Sequence, residues 1–233
     1  MMHFCGKERG TVVCFWLALY GIVYTLAAQI SQLVHPWFLP LAMLGYLGAL
    51  LCFIYRTGQA AQLGLCIPGG YRLTRLLPLL LVPIFNLAAD RGGLCPITEI
   101  LLMVSTCAVE ELFFRGFLLR VLRRYGCVTA VVLSSAAFAL VHLVNSGAEV
   151  PAGFVLAQVS CAFWVGICYG VVAMETGSLL WGYVAHLLTN VTASPAAQTP
   201  TLLLWLCIAA YGGYGLRLLY IYHKKEKNHE AIY

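Results

Sequence analysis

Three short stretches hold most of the reactive side chains that lie inside apolar sequence. They read Glu110-Glu111-Leu-Phe-Phe-Arg115, Phe138-Ala-Leu-Val-His142 and His186-Leu-Leu-Thr-Asn190. Glu111 and Arg115, Phe138 and His142, and His186 and Asn190 are each four residues apart. On a helix that spacing puts both members on one face. These side-chain types suit hydrolysis of a peptide bond, which needs a water made nucleophilic and hydrogen-bond donors for the oxyanion. Glu110 can take a proton from water. His142 and His186 can orient that water, bind a metal, or donate to the tetrahedral oxygen. Asn190 has an NH2 that can serve the oxyanion.

Glu111 precedes Arg115, the favoured order for a helical ion pair. Such a pair neutralises itself and lets its helix stay in an apolar surrounding. Glu110 is turned about 100° from Glu111, so Arg115 is not its natural partner. The expectation is that Arg115 holds Glu111 and leaves Glu110 facing a cavity. Structural roles are also open to these residues. The three charges could form a network or snorkel at a helix end, His142 could be interfacial, and His186 with Asn190 could bond two helices. Zinc is a second open question. His142, His186 and a carboxylate could make a three-ligand catalytic site, but no H-E-x-x-H is present and Glu110 cannot easily be both ligand and base. Metal-independent water activation is the favoured reading. Ser134, Ser135 and Cys107 lack a paired base at motif spacing.

The surroundings of these residues fix the class of protein. The chain has 233 residues, 61% hydrophobic and 10% charged, with mean hydropathy +0.86. Soluble domains are about 45–50% apolar and about 25% charged. This chain has too few polar groups to cover a water-facing surface and reads as an integral membrane protein. Its formal charge of +5 does not point to nucleic acid, because the basic residues punctuate apolar segments instead of forming one face. The ten cysteines show no CxxC pair and no zinc-finger spacing, and read as reduced packing residues. The apolar run from Thr11 to Val34 exceeds the ~7–15 residues of a signal h-region, so it reads as a retained first helix.

At ~20 apolar residues per crossing, eight candidate spans emerge: 11–34, 37–55, 73–89, 97–120, 128–146, 152–174, 178–195 and 200–222. Prolines 36, 96, 151 and 200, Arg91-Gly-Gly and Glu175-Thr-Gly177 mark breaks. With the N-terminus in the cytoplasm, Arg91 alone of the fourteen basic residues falls outside, as the positive-inside rule requires. The expected fold is all-α and polytopic, about eight transmembrane helices around a polar intramembrane cavity, in one domain over 1–233 with its core at 97–195. One strain remains. At ~1.5 Å per residue, Glu110 lies ~20 Å from the start of its span at 97 and His142 ~6 Å from the end of its own at 146. Tilt, a broken helix or different span ends are needed to bring the two together.

In that order on three apolar segments, E-E-x-x-x-R, F-x-x-x-H and H-x-x-x-N resemble the CAAX-processing and bacteriocin-processing protease family. This group includes type II CAAX prenyl endopeptidases and lysostaphin-resistance-type bacterial proteins. Every motif position is filled, and Leu63-Gly64-Leu65 also looks like that family. The resemblance implies a helical membrane fold with a polar cavity and an intramembrane endopeptidase activity. It implies that Glu110 is the water-activating glutamate, that His142 and His186 complete the centre, and that Asn190 stabilises the oxyanion. Glu111, Arg115 and Phe138 would support them. The family is associated with both metallo and glutamate-dependent mechanisms, so zinc stays open. The expected partners are a peptide or membrane-associated protein substrate and the bilayer. The expected location is a bacterial cell membrane, with both termini cytoplasmic. Two other classes compete: a non-catalytic scaffold or immunity protein, and a small proton-coupled transporter. A scaffold tolerates loss of Glu110 and the histidines, and a transporter usually shows paired halves, which this sequence lacks.

Overall fold

The computed structural model describes residues 6–68, 75–89, 95–145, 152–192 and 201–230, and among them every regular element is helical. The long elements are α1 (Gly6–Leu33), α2 (Phe38–Arg56), α4 (Ile97–Glu111), α6 (Cys127–Val141), α7 (Ala152–Thr176), α8 (Leu180–Thr192) and α9 (Thr201–Glu230). A 3-10 turn at Leu77–Leu80 leads into the short α3 (Leu81–Ala89), and α5 (Leu119–Leu122) ends the chain segment begun by α4. Prolines fall where no backbone N–H is needed. Pro40 and Pro83 sit in first turns, and Pro96 is the N-cap of α4. The breaks expected at Arg91-Gly-Gly, Pro151 and Pro200, and Cys5, lie outside the described residues. The nine described cysteines are all free.

Among the described residues, 10–33, α2 and α7 are the three helices long and apolar enough to cross a membrane by length and composition. The segment expected at 73–89 carries only nine α-helical residues, in α3. Burial separates the three long helices. Inside the protein lies 61% of the most apolar stretch of α7, against 11% for α1. The centre of the fold is therefore α7, packed by α6, α8 and α9, while α1 leans on α2 and α2 on α4. Glycines let α6 approach α7 closely: a Cβ at Gly170 would meet Val131 at 3.1 Å, and one at Gly166 would meet Ser135 at 3.0 Å.

Two helix expectations are corrected. The span expected at 97–120 is not one α-helix. After Glu111 its backbone widens into a π-helical stretch, Leu112–Leu118, before α5 resumes. Such π segments tend to occur at functional sites, and this one carries Arg115. The span expected at 128–146 ends as an α-helix at Val141 and tightens into a 3-10 turn, His142–Asn145.

Between the two arms the chain reverses at Gly126, whose φ of +97° suits glycine alone among common residues. Gly126 lies sixteen residues after Glu110 and sixteen before His142. Equal numbers of residues from the turn bring the two to similar heights, in keeping with the electrostatic reach of Glu110 to His142. The strain in the sequence reading came from measuring height at the far helix ends. In a hairpin, height counts from the turn.

The Leu63-Gly64-Leu65 element ties the connection after α2 to the start of α8. Leu179 N donates to Gly64 O at 2.9 Å, and Ser178 Oγ donates to Cys66 O at 2.6 Å. Gly64 has φ +81°, and a Cβ there would meet Gly177 O and Arg120 Nη2, each at 3.1 Å.

Candidate active site

The polar centre is built on α4 and α8, which pack against each other. Arg115 Nη1 donates to Glu111 Oε1 at 3.0 Å, and His186 Nδ1 donates to the same oxygen at 3.0 Å. This bond puts a proton on Nδ1 and directs Nε2 away from Glu111. That second nitrogen lies 3.5 Å from Glu110 Oε2. Adjacent carboxylates on a helix diverge, and one imidazole bridges them, with one nitrogen to each. The sequence reading left Glu110 without a partner. The packing of α8 against α4 gives it His186, in a chain Arg115–Glu111–His186–Glu110. The Arg115 and Glu111 side chains are 0% and 2% exposed, whereas Glu110 is 26% exposed. The inner pair is sealed, and water can reach Glu110.

Phe138 joins the three motifs. Arg115 Cζ lies 4.1 Å from its ring centroid, and the same ring meets His142 at 4.9 Å and His186 at 5.5 Å, both edge to face. Arg115 Nε and Nη2 have no hydrogen-bond partner among the described residues. The faces of Phe138 and, at 5.6 Å, Tyr169 offset part of that loss through cation–π attraction. His142 Nδ1 donates to Phe138 O at 3.0 Å. With the proton held there, Nε2 of the neutral ring is a lone pair. Glu110 and His186 both lie within electrostatic reach of His142.

Asn190 Nδ2 donates to Cys107 Sγ at 3.2 Å, which leaves its second N–H for another acceptor. Asn190, His142, His186, Thr189 and Asn86 line a cavity of about 200 Å³ between α3, α6, α7 and α8. All seven residues singled out in the sequence thus lie in one connected region.

Three residues at the centre were missed, and Cys107, set aside in the sequence for want of a paired base, joins it through hydrogen bonds to His186 and Asn190. Cys107 is fully buried and lies one turn before Glu110; the i, i+3 spacing is its sequence signal. Gly182 lies one turn before His186, and a Cβ there would meet Glu111 Oε2 at 3.2 Å. Tyr169 and Gly166 come from α7, whose sequence has no acidic, basic or histidine residue over 152–174. Gly166 leaves room for Arg115 Nη2, which a Cβ would meet at 3.3 Å. Ser134 and Ser135 both donate to Val131 O and are fully buried, so neither is placed as a nucleophile.

Among the described residues no group of three or more His, Cys, Asp or Glu side chains is arranged to hold a metal ion. Nδ1 of His186 is held by Glu111 and Nδ1 of His142 by the Phe138 carbonyl, so the Nε2 nitrogens are the ones that would hold a metal, with Glu110 Oε2 3.5 Å from that of His186.

Residues 94–192 match the profile of the Rce1-like family, type II CAAX prenyl endopeptidase. The matched segment runs through α4 to α8 and holds the whole Arg115–Glu111–His186–Glu110 chain. No curated protein and no solved structure matches the chain. The Rce1-like match agrees with the resemblance carried by the three motifs. It supports a protease-type enzyme with a peptide or protein substrate. Together with the long apolar helices, it makes the chain an integral membrane protein.

Proposed function

We propose that the chain is an intramembrane endopeptidase in which Glu110 activates a water for attack on a peptide bond. The observation that carries this reading is the Arg115–Glu111–His186–Glu110 chain, with its one water-accessible carboxylate at the end. Glu110 takes a proton as the water oxygen bonds to the carbonyl carbon. His186 Nε2, aimed by Glu111, shares that proton and returns it to the departing amine nitrogen as the C–N bond breaks. Arg115 bonds the same Glu111 oxygen and fixes the carboxylate in place, so the imidazole holds its orientation. The His142 Nε2 lone pair accepts from the attacking water, and the uncommitted N–H of Asn190 donates to the tetrahedral oxyanion. A scaffold gains nothing from a carboxylate reachable by water beside a histidine of fixed tautomer.

The substrate is a peptide or a membrane-associated protein. A second cavity, of about 530 Å³, is walled by Leu47 and Leu51 of α2, Leu112 of the π segment and Leu180 of α8, and runs along α4 at Ala108, two residues before Glu110. It supports a substrate that is apolar next to the cleaved bond. One membrane domain over 1–233, with its catalytic core at 97–195, sits in a bacterial cell membrane. It crosses eight times and keeps both termini in the cytoplasm, a reading supported by the basic-residue bias. Reporter fusions at Gly92 and Lys227 are expected on opposite sides, Gly92 outside. The same side for both would refute the topology.

The mechanism is tested on one variant, Cys107→Ser, purified and exhaustively chelated. Serine keeps an acceptor for Asn190 but is a far weaker nucleophile than a thiol. Cleavage is expected to survive both the substitution and the chelation. Loss on substitution alone would point to a thiol mechanism built from Cys107, His186 and Asn190. Loss on chelation, reversed by zinc, would point to a metal site.

A further inference from the structure

Arg120 stands five residues beyond Arg115 and has none of its partners. Its Nε is buried and without a hydrogen bond among the described residues. No described carboxylate pairs with it, and Arg123 opposes it with a like charge. Arg115, by contrast, has Glu111 and two aromatic faces. An arginine partly withdrawn from water, with a buried N–H unbonded and no carboxylate beside it, is an incompletely compensated charge, which a membrane protein keeps where it has a use. Arg120 lines a pocket of about 90 Å³ with Gln59, Gln62 and Gly116, while Val12 and Val13 of α1 and Phe117 supply the apolar side. Gln59 gives one N–H to Thr57 Oγ1 at 3.1 Å and retains another.

The polar side of the pocket can thus present a guanidinium fork and two amides, a donor set suited to an oxyanion. The volume is about three times the ~30 Å³ share of one water, enough for a single tetrahedral anion and too small for a nucleotide. Height narrows the choice. Arg120 lies six residues, roughly 9 Å, from the Gly126 turn, near one end of the hairpin and not at its middle. The apolar side opens onto α1, the most exposed of the three long apolar helices, along which hydrocarbon chains can lie. A group with an anionic phosphate and an apolar body meets both halves.

We infer that the Arg120–Gln59–Gln62 pocket binds the phosphate of an anionic phospholipid and seats α1 against the π segment and α5. This site is separate from the catalytic reading and stands without it. The chemistry it recognises is a phosphate, which free inorganic phosphate shares, so the test carries both.

Thermal unfolding of the purified full chain in detergent is followed while short-chain phosphatidylglycerol, phosphatidylcholine of the same chain length, or inorganic phosphate is added. Phosphatidylglycerol is expected to raise Tm in a saturable way. Arg120→Gln is expected to weaken its apparent affinity by about tenfold or more, as loss of a charge-assisted fork implies. Arg124→Gln removes the same charge from an exposed arginine outside the pocket and is expected to leave the affinity unchanged. Should Arg120→Gln fold poorly, Gln62→Leu keeps the cation and removes one amide donor; it too is expected to lose affinity. Equal responses of Arg120→Gln, or of Gln62→Leu, and the parent would overturn the site. A full Tm rise with inorganic phosphate alone would overturn the lipid as its source, and an equal rise with phosphatidylcholine would overturn the requirement for net negative charge.

Discussion

Glu110→Gln is expected to leave the protein folded and abundant while cleavage of a peptide substrate falls by about 10²–10⁴, the usual cost of losing a general base. Glutamine matches the volume of glutamate but cannot take a proton from water. The substitution also spares the fold, because Glu110 is 26% exposed and its contact with His186 Nε2 is long, at 3.5 Å. His142→Ala and His186→Ala are expected to be comparably severe for cleavage. They differ in the second measurement, protein level. His186 holds the buried Glu111 at 3.0 Å, so His186→Ala is expected to lower abundance as well. Asn190→Ala, as loss of one oxyanion donor, is expected to cost about 10²–10³. Unchanged cleavage in Glu110→Gln at parental protein level would remove the peptidase mechanism and leave the scaffold in its place.

Arg115→Ala is expected to produce the largest loss of stability, about 3–5 kcal/mol, the usual cost of removing one partner of a buried ion pair. Arg115 and Glu111 are sealed from water at 0% and 2% side-chain exposure. Without the guanidinium, Glu111 is left charged, with only His186 Nδ1 on Oε1 and no hydrogen-bond partner on Oε2 among the described residues. The Phe138 ring also loses the cation 4.1 Å from its centroid. The double variant Glu111→Gln with Arg115→Met removes both charges and keeps most of the volume. It is expected to recover part of the folded protein while remaining poorly active, because His186 is no longer aimed by a carboxylate. Heat stability and membrane yield report the first effect and cleavage the second. An Arg115→Ala protein as heat-stable as the parent would mean that the pair contributes no net stability.

What the sequence made legible was whatever lies within one helical turn. Glu111 and Arg115 are four apart, and so are Phe138 and His142, so each pair could be placed on a face before any packing was known. The all-helical class followed from composition in the same direct way. What stayed hidden depended on contact between helices. His186 reaches both glutamates only because α8 lies on α4, and no spacing within either helix announces it. Tyr169 and Gly166 belong to α7, a helix that reads as plain apolar sequence. Gly182 contributes by having no side chain, a signal indistinguishable in sequence from any glycine in an apolar helix. The similar height of Glu110 and His142 was obscured by helix ends, which carry errors of about 2–4 residues. The reversal at Gly126 was the better reference point and was visible as a glycine after Arg123-Arg124-Tyr125.

The contacts of the two neighbouring glutamates also differ in when they can form. Glu111 finds Arg115 four residues later, within the same turn of the same nascent helix. Its histidine lies 75 residues further along the chain, and Glu110 waits for that same side chain. At a synthesis rate of roughly 5–20 residues per second, that interval lasts about 4–15 s. Through it α4 carries one carboxylate neutralised by its own helix and one with no histidine yet made. A charged group within the hydrocarbon costs at least a few kcal/mol. During biogenesis the hairpin of α4 and α6 therefore has to keep Glu110 in contact with water or the insertion machinery until α8 arrives. The residue proposed to activate water in the finished protein is also the one the growing chain cannot neutralise for itself.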